Sequence, residues 1–539
     1  MAEGMMVAKR EAQRAAEPVA PAIAEIVIGK DVLELVSSAM YIDPLTIYRE
    51  YIQNAADAID DARQTGLLPL AKPGRVEIDF DTATRRVLIR DNGSGLGWPN
   101  FVRRMTSLGA SSKRGGTARG FRGVGRLAGL GYAQQLIFRS RADGERLVSE
   151  LTWDCRALRA ALRSIEEDEG VAEAIRRVVS IARLDGPNYP NRFFEVEIKG
   201  VVRLRSDKLM SPSAVADYLA QVAPVPFAPE FPFSETIRAA LSPVVRLADL
   251  DVRISGLEGP IYRPHRKEFV ENKRQVRFED VEVVRIPGVD GGDAAVGWLL
   301  HHEYDGAVPI ATGFKGLRLR GGNIQVGGHA LLEELFSEPR FNAWSIGEIH
   351  VVDPRIVPNA RRDDFEQNAH YNNLLNQLSP IARSIAKRCR TNSKRRQLLR
   401  DFQIQQTTVE ERLAIMAQGS LRRSAREAQA ANVDQALIRM TKFAEAVELA
   451  TDRKKLLETV EKLRKRVRAS DWDPQDSPLA KLPPRRRAMY RHLFDLIYGC
   501  STNRVAAKAL IDRILAKIYE DMSAAKRRLA KRPVQRSAK

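Results

Sequence analysis

The segment Tyr48–Arg63, YREYIQNAADAIDDAR, carries an acid, an amide and a second acid at spacings of four and seven residues. On a helix, Glu50, Asn54 and Asp57 would lie along one stripe of one face. The apolar residues of the opposite side are Tyr48, Ile52, Ala55 and Ile59. A carboxylate can take a proton from water, and an amide oxygen suits Mg²⁺. The alternative interpretation is a solvated polar face.

A second group of residues follows in RRVLIRDNGSGLG. Arg85–Arg90 alternates as a strand does, Asp91 stands at its end, and Gly93, Gly95 and Gly97 come next. A carboxylate at this position can accept a hydrogen bond from the exocyclic amine of adenine. The glycines allow the backbone to approach a flat ring. A glycine-rich turn without a ligand is the alternative.

A third motif lies in GASSKRGGTARGFRGVGRLAGLGYA. Gly120, Gly123 and Gly125 precede an apolar run that we predict to be helical, so backbone amides could face a phosphate there. Lys113 and Arg122 are nearby cations. A loop rather than a strand precedes this run, which excludes a dinucleotide-binding fingerprint, and the Gly-Lys-Ser/Thr of a P-loop is absent.

The elements that would position these motifs are readable from hydrophobic spacing. We predict a helix at Thr46–Gln64 and two strands, Arg75–Phe80 and Arg85–Arg90, joined by the turn Asp81–Thr84. Residues 97–120 are rich in Gly, Ser, Lys and Arg, and we predict a long loop there. Loops of that length in a compact domain are usually functional lids or disordered.

The remainder of the chain changes character near residue 378. Before that point, strand patterns occur at Val281–Ile286, Ala295–Leu300 and Gly347–Val352. Beyond it, 379–470 contains almost no Gly or Pro and has helical spacing. The apolar positions that illustrate this spacing are Leu457, Val460, Leu463 and Val467. Two basic amphipathic helices are predicted within 485–530.

Composition bounds the class of protein. The chain has 539 residues, which suggests roughly three or four domains at about 150 residues each. Residues 381–539 hold 38 Lys and Arg against 17 Asp and Glu, whereas 1–380 hold 49 against 51. This asymmetry suggests an acidic partner such as nucleic acid, with a solvated helical surface as the alternative. Three dispersed cysteines fit a reducing compartment. With no secretory signal and no membrane-spanning run, we expect a cytoplasmic protein.

The order and spacing of the three motifs resemble the GHKL ATPase superfamily, which includes gyrase, the ninety-kilodalton heat-shock chaperones, histidine kinases and MutL. The resemblance implies a Bergerat fold, with Glu50 as general base, Asn54 as Mg²⁺ ligand and Asp91 as adenine ligand. It implies that Lys113 is the lysine of a lid that closes over ATP. The remaining nucleotide-contacting positions that it implies are Asp57, Gly93, Gly95, Gly120, Gly123, Val124 and Gly125.

Within the superfamily, two branches share features with this chain. MYIDPLTIYREYIQNAADAIDDAR and the GVG of the third motif are similar to the chaperones, whereas SSK and GFRG in the lid look more like MutL. GEIHVVDPRIVPNARRDDFEQN resembles the chaperone middle-domain catalytic loop. Aligned that way, Arg362 takes the place of the arginine that reaches the γ-phosphate. Arg361 replaces a serine, and Glu366 replaces a catalytic glutamine.

The resulting expectation is a two-layer α/β (α+β) Bergerat ATPase domain, an α/β middle transducer domain and an all-α C-terminal region with a coiled coil. The predicted boundaries are 1–22 (flexible arm), 23–200 (ATP-binding domain), 201–378 (middle domain), 379–470 (helical and coiled-coil region), 471–484 (linker) and 485–539 (basic helices and tail). We expect ATP and Mg²⁺ as ligands and a homodimer held by the C-terminal helices.

Two functions remain open from sequence: an ATP-driven chaperone-like clamp that acts on protein clients, and a nucleic-acid clamp in the style of MutL or MORC proteins. The chaperone function rests on the middle-domain loop, and the nucleic-acid function rests on the basic region. A third interpretation is a nucleotide-sensing subunit of a larger bacterial complex.

Overall fold

The chain forms two compact units in a computed structural model. One unit comprises Met1–Ala386 and the other Lys387–Lys539. The residues that the structure describes are 43–106, 125–163, 171–204, 206–271, 274–469 and 478–530. No helix in these stretches is long and apolar enough to cross a membrane.

The N-terminal part of the first unit is built on a seven-stranded sheet. Its strands are β1 (Arg75–Asp81), β2 (Arg86–Asp91), β3 (Gln135–Arg141), β4 (Val148–Asp154), β5 (Val179–Leu184), β6 (Phe193–Lys199) and β7 (Asp251–Ile254). They lie in the order β5-β4-β3-β6-β2-β1-β7. Every neighbouring pair is antiparallel except β1 and β7, which run parallel.

Helices cover one face of this sheet. They are α1 (Thr46–Gln64), α2 (Trp98–Thr106), α3 (Cys155–Arg163), α4 (Val171–Val178) and α5 (Pro212–Val222), whereas Ile237 and Leu241 of α6 (Ser234–Leu241) are buried in another core, with Trp298 and Leu300. The predicted bounds of α1 are confirmed. Its apolar stripe is buried in one core with Val76 and Ile78 of β1 and Val87 and Ile89 of β2. The expected α/β layering is therefore present.

The β1–β2 hairpin carries Asp91 to the edge of the site. Both strands are confirmed to within one residue, and Asp91 is the last residue of β2. In the turn, the carboxylate of Asp81 accepts hydrogen bonds from the backbone N–H groups of Ala83 (3.0 Å) and Thr84 (3.2 Å). A carboxylate that bonds the backbone two residues ahead is a common way to close such a turn.

The edge strand β7 comes from far along the sequence. Residues Arg75–Ile78 of β1 pair in register with Asp251–Ile254. The boundary predicted at 200/201 thus does not separate this sheet from the segment that follows, because one of its strands lies beyond it. A four-residue strand has too little sequence pattern to be recognised by alternation.

A five-stranded sheet forms the middle part of the first unit. Its strands are β10 (Asp280–Pro287), β11 (Asp293–His301), β12 (Gly316–Gly321), β13 (Ile324–Val326) and β14 (Ile346–Val351), preceded by the hairpin β8 (Glu268–Glu271) and β9 (Arg274–Arg277). The order is β10-β11-β14-β12-β13, with β12 and β14 parallel. The three strands predicted from sequence are β10, β11 and β14, and all are confirmed.

Two local predictions need correction. The stretch 97–120 was expected to be a loop, but Trp98–Thr106 is helix α2, whose buried Phe101 and Met105 lie one turn apart. The run after Gly125 was expected to be an α-helix, but Gly125–Gly129 is a single 3₁₀ turn that leads into β3. Apolar residues alone do not distinguish a short 3₁₀ turn from the start of a helix.

The second unit is all helical, as expected. Its helices are the C-terminal part of α7 (Ala369–Ala417), then α8 (Arg423–Ala446), α9 (Ala450–Ala469), α10 (Pro484–Cys500) and α11 (Arg504–Ala530). Val460 and Leu463 of α9 are buried in a cluster with Leu437 and Met440 of α8. The apolar stripe that suggested pairing with another chain is therefore covered by a helix of the same chain.

Candidate functional site

The polar stripe of α1 lies where sequence analysis put it. Glu50 is buried, with only 3% of its surface exposed, while Asn54 and Asp57 are half-buried. Their spacing of four and seven residues places all three on the side of α1 that faces away from the core. A carboxylate this deeply buried requires a charge partner or hydrogen bonds.

Two arginines satisfy the Glu50 carboxylate through the same oxygen. Nε of Arg362 lies 3.0 Å from Glu50 Oε1, and Nη2 of the neighbouring Arg49 lies 3.5 Å from that atom. The other oxygen, Oε2, faces Gly125, where a Cβ atom would come within 2.3 Å of it. The glycine therefore keeps space beside Oε2.

Arg362 reaches Glu50 from a tight loop held at both sides. Pro358 and Phe365 form a β-bridge at its base. Arg362 has φ of +57°, in the left-handed region, which costs a non-glycine residue about 1–2 kcal/mol. Its carbonyl accepts a hydrogen bond from the N–H of Gly327 (2.9 Å), which helps to hold this conformation.

Arg49 holds the same loop from the other side. Its Nη1 lies 3.5 Å from the carbonyl oxygen of Arg362, and its Nη2 lies 3.3 Å from that of Arg361. The side chain of Arg361 itself is exposed. The structure thus brings Arg362 to Glu50, across 312 residues of sequence, and leaves Arg361 and the exposed Glu366 outside this contact.

Asp91 forms the opposite end of the site. It is buried, and its Oδ1 accepts a hydrogen bond from the N–H of Gly93 (2.8 Å). A Cβ at Gly93 would lie 2.7 Å from the Ala58 carbonyl carbon of α1. A Cβ at Gly95, where φ is +66°, would lie 2.2 Å from the carbonyl oxygen of Arg141. Both glycines are required by close backbone approach.

Burial dominates the electrostatics of Asp91. Loss of water raises the pKa of its carboxyl group to about 7, against the opposing effects of the Gly93 N–H and the Arg192 guanidinium. A carboxyl group with this pKa exchanges its proton near neutral pH. When ionised, the Asp91 carboxylate can accept a hydrogen bond from a donor such as the exocyclic amine of adenine.

The site has a direction along α1. Asp91 and Gly93 meet the helix at Ala58, where the Ser94 N–H also donates to the Ala58 carbonyl (2.9 Å). Ala58 lies eight residues after Glu50, or about 12 Å along the helix axis. That distance suits a nucleotide whose base lies at Asp91 and whose phosphates extend toward Glu50.

Part of the predicted phosphate-binding segment lies outside the described residues. This applies to Lys113, Gly120, Gly123 and Val124. Of the residues of that motif predicted to contact phosphate, Gly125 lies within the described stretches, beside Oε2 of Glu50. Sequence analysis missed Arg49 and Arg126. Arg126 directly follows Gly125, and burial lowers the pKa of its guanidinium to about 10. A cation immediately after a glycine motif is the signal that could have identified it.

The donor set fits a hydrated magnesium ion better than a protein-only metal centre. Within the described stretches, no group of three or more His, Cys, Asp or Glu side chains could hold a metal ion by itself. Mg²⁺ usually keeps several waters and binds through one or two protein oxygens together with substrate phosphates. Asn54, half-buried on the site face of α1, can supply such an oxygen.

Comparison with known proteins agrees with this geometry. Residues 46–175 match the family of histidine kinase-, DNA gyrase B- and HSP90-like ATPases. The chain is similar to the chaperone protein HtpG of Polaromonas naphthalenivorans, with 27% identity over 203 residues, 33% of this chain and 30% of that protein. It is similar to HtpG of Coxiella burnetii, with 28% identity over 147 residues, 23% of this chain and 22% of the relative.

These relatives are matched over less than a third of their length. The family match begins at the start of α1 and ends within α4, and it supports the resemblance to the GHKL superfamily that the three motifs indicated. The MutL-like character of the lid falls on 107–124, outside the described residues, and stays a prediction.

The raised pKa of Asp91 predicts a pH-dependent stability. Between about pH 4 and pH 7 the carboxyl group is protonated in the folded state and ionised in the unfolded state. The free energy of unfolding should therefore fall as pH rises through this window, by up to about 4 kcal/mol. Urea denaturation of the wild type and of Asp91→Asn at several pH values measures it. Parallel curves for the two proteins would contradict the assignment.

Proposed function

We propose that this chain, whose residues 46–175 match the family of histidine kinase-, DNA gyrase B- and HSP90-like ATPases, hydrolyses ATP to ADP and phosphate. The observation that carries the proposal is the arrangement along α1. At one end the buried Glu50 meets Arg362, and at the other the helix borders the Asp91 pocket. A base-recognition group and a proton acceptor lie about one nucleotide length apart, as estimated from the helical rise.

In the proposed mechanism, Glu50 is the general base. Its Oε2, beside Gly125, takes the proton of the attacking water, while Oε1 stays in contact with Arg362 and Arg49. The second oxygen lies beside Gly125, the last of the three glycines of the predicted phosphate-binding motif. A positioned base of this kind typically contributes 10²–10⁴ in rate.

Arg362 would stabilise the negative charge that develops on the transferred phosphoryl group. The contact with Glu50 uses Nε, and the two Nη groups of a guanidinium can donate to further oxygens. Asn54 would hold Mg²⁺, which when bound neutralises phosphate charge. Catalysis of phosphoryl transfer depends mainly on such positioning and electrostatic stabilisation.

A chaperone-like clamp is the biological role we infer for this activity. The similarity to HtpG chaperones supports it, together with the contact between Glu50 and Arg362 of the loop that follows the five-stranded sheet. We propose a homodimer through the C-terminal helices and protein clients as substrates. The apolar residues available for such pairing are the exposed Met489, Leu493 and Leu496 of α10, which share one helix face.

The charge of the helical unit favours a second candidate, a clamp on nucleic acid. On α9, Lys454, Lys462 and Lys465 are exposed within about 80° of one another around the helix, on a stripe that also carries the exposed Glu458. The same region of sequence holds the entire surplus of positive charge. Clustered cations on one helix face are typical of phosphate-backbone contacts.

Substitution of Glu50 tests the catalytic assignment. Glu50→Ala should keep ATP affinity and lose steady-state turnover by at least about 10², because only the proton acceptor is removed. A coupled phosphate-release assay and calorimetry measure the two quantities. Unchanged hydrolysis by Glu50→Ala would refute its role as general base.

Asp91→Asn should behave in the opposite way. An amide donor would then face the amine of adenine, so the variant should fail to bind ATP.

Arg362 and Arg361 form a matched pair for testing the loop. Arg362→Ala removes the guanidinium next to Glu50 and should lower turnover by about 10² or more, with ATP affinity nearly unchanged. Arg361→Ala, which removes an exposed side chain of the same loop, should have a much smaller effect. If both variants hydrolyse ATP at the wild-type rate, the loop has no catalytic role, and Lys315 becomes the better candidate for the phosphate contact.

The nucleic-acid function predicts a salt-dependent affinity for duplex DNA or RNA. Replacing Lys454, Lys462 and Lys465 with Gln should weaken binding and reduce the slope of log affinity against log salt by about three. Fluorescence anisotropy across a salt series measures both.

The control for that experiment changes the net charge equally but elsewhere. Lys72, Lys208 and Lys267 are exposed lysines of the first unit, and their replacement with Gln should leave the salt slope unchanged. Equal losses in the two triple variants would indicate an effect of net charge alone. Absent binding by the wild-type protein would favour the chaperone-like role.

A further inference from the structure

Gln53 is a buried polar side chain that none of the roles above uses. Only 1% of its surface is exposed. Neither Nε2 nor Oε1 of its amide has a hydrogen-bond partner among the described residues. Of the described side chains with an orphaned buried atom, Gln53 alone lacks a partner at both amide atoms. Buried polar groups are normally satisfied, so this amide calls for an explanation.

The position of Gln53 on α1 is at the border between the site and the core. It follows Glu50 by three residues and precedes Asp57 by four, and both spacings keep residues on one face of a helix. The core-facing Ile52 and Ile59 lie about 100° or more away around the helix, whereas the core residue Ala56 lies about 60° away, on the side opposite to Glu50. Gln53 therefore borders the polar stripe of residues predicted from sequence, next to Glu50 and Asp57.

The direction of the site indicates which part of a nucleotide Gln53 would meet. Along the axis, Gln53 is about 4.5 Å from Glu50 and about 7.5 Å from Ala58, where the Asp91 pocket contacts the helix. It is thus nearer to the end where phosphates would lie. A side-chain amide offers two donors and an acceptor, which suits phosphate oxygens together with the water around a cation.

An unsatisfied amide also carries a cost that an apolar residue of similar size would not. Burying it without a hydrogen bond disfavours the folded state of the free protein. Methionine at this position would fill a similar space without that cost, because it is unbranched and flexible. A glutamine here is therefore explained by a ligand that satisfies the amide when it binds.

We propose that Gln53 is a binding residue for the hydrated magnesium–triphosphate group of the nucleotide. This inference rests on the proposed function, because it assumes that a nucleotide occupies the site along α1. In this role, Gln53 contacts the phosphate end of the nucleotide and does not contact the base. Gln53 and Asn54 are adjacent in sequence and would contact the same group.

Calorimetric titration of the full-length protein with magnesium–ATP and with AMP tests this inference. Gln53→Met should weaken magnesium–ATP binding about tenfold or more, because a polar contact to a charged group is lost. AMP binding should change by less than about twofold. In the absence of nucleotide, the melting temperature of Gln53→Met should equal or exceed that of the wild type, since the buried unsatisfied amide is removed.

The matched control is Gln64→Met, which makes the same change at an exposed position near the end of α1. It should leave both affinities unchanged. Gln53→Leu is a second apolar variant of similar size, and it provides an independent measurement if Gln53→Met melts early. Equal loss of magnesium–ATP and AMP affinity would assign Gln53 to the base and overturn the inference.

Two further outcomes separate this inference from the proposed function. If the wild type binds magnesium–ATP and the Gln53 variants bind it equally well, the inference is wrong and the ATPase proposal stands. If the wild type binds neither nucleotide, the proposed function itself is overturned, and the inference falls with it.

Discussion

The need to satisfy one buried carboxylate links the main parts of the first unit. Glu50 lies on a helix of the N-terminal sheet, and an ion in that environment is stable only with partner charges close by. One partner, Arg49, precedes it on the helix, but the other, Arg362, comes from a loop that follows the five-stranded sheet. The position of that loop is consequently part of the site, because moving it away would leave Glu50 without its nearest cation.

A second buried charge network stabilises the sheet from which this loop extends. Glu348 of β14 pairs with Arg263 and Arg320, all three almost fully buried, and the two arginines hold its pKa well below the ordinary value. Nearby, Nη1 of Arg318 donates to Gln325 (2.8 Å), whose amide donates to the carbonyl of Gly327 (2.9 Å). The N–H of the same Gly327 donates to the carbonyl of Arg362. The backbone of Gly327 therefore links the hydrogen bonds of the sheet interior to the loop at Glu50.

Sequence analysis was accurate where structure is determined locally. The bounds of α1 and the end of β2 at Asp91 follow from residue spacing and turn chemistry, and the structure confirms them. It was incomplete where long-range packing decides. Pairing of β7 with β1, the role of Arg49 and the orphaned amide of Gln53 depend on neighbours distant in sequence, or on burial that spacing does not report. Gln53 could have been predicted as a site residue from sequence, because it follows Glu50 by three residues and so lies near it on the helix surface.

The helical unit shows the same limit from another side. The spacing of Leu457, Val460 and Leu463 correctly indicated that this helix packs against another helix, but the spacing cannot say whether that helix belongs to the same chain. In the structure, Val460 and Leu463 are buried in one cluster of α7, α8 and α9 and Leu457 packs against it, so this surface is already used. An apolar surface cannot serve the interior of one chain and an interface between two at once. Any association of copies through this unit must therefore use other residues, and the lysines of α9 remain on the outside, where they are available to a negatively charged partner.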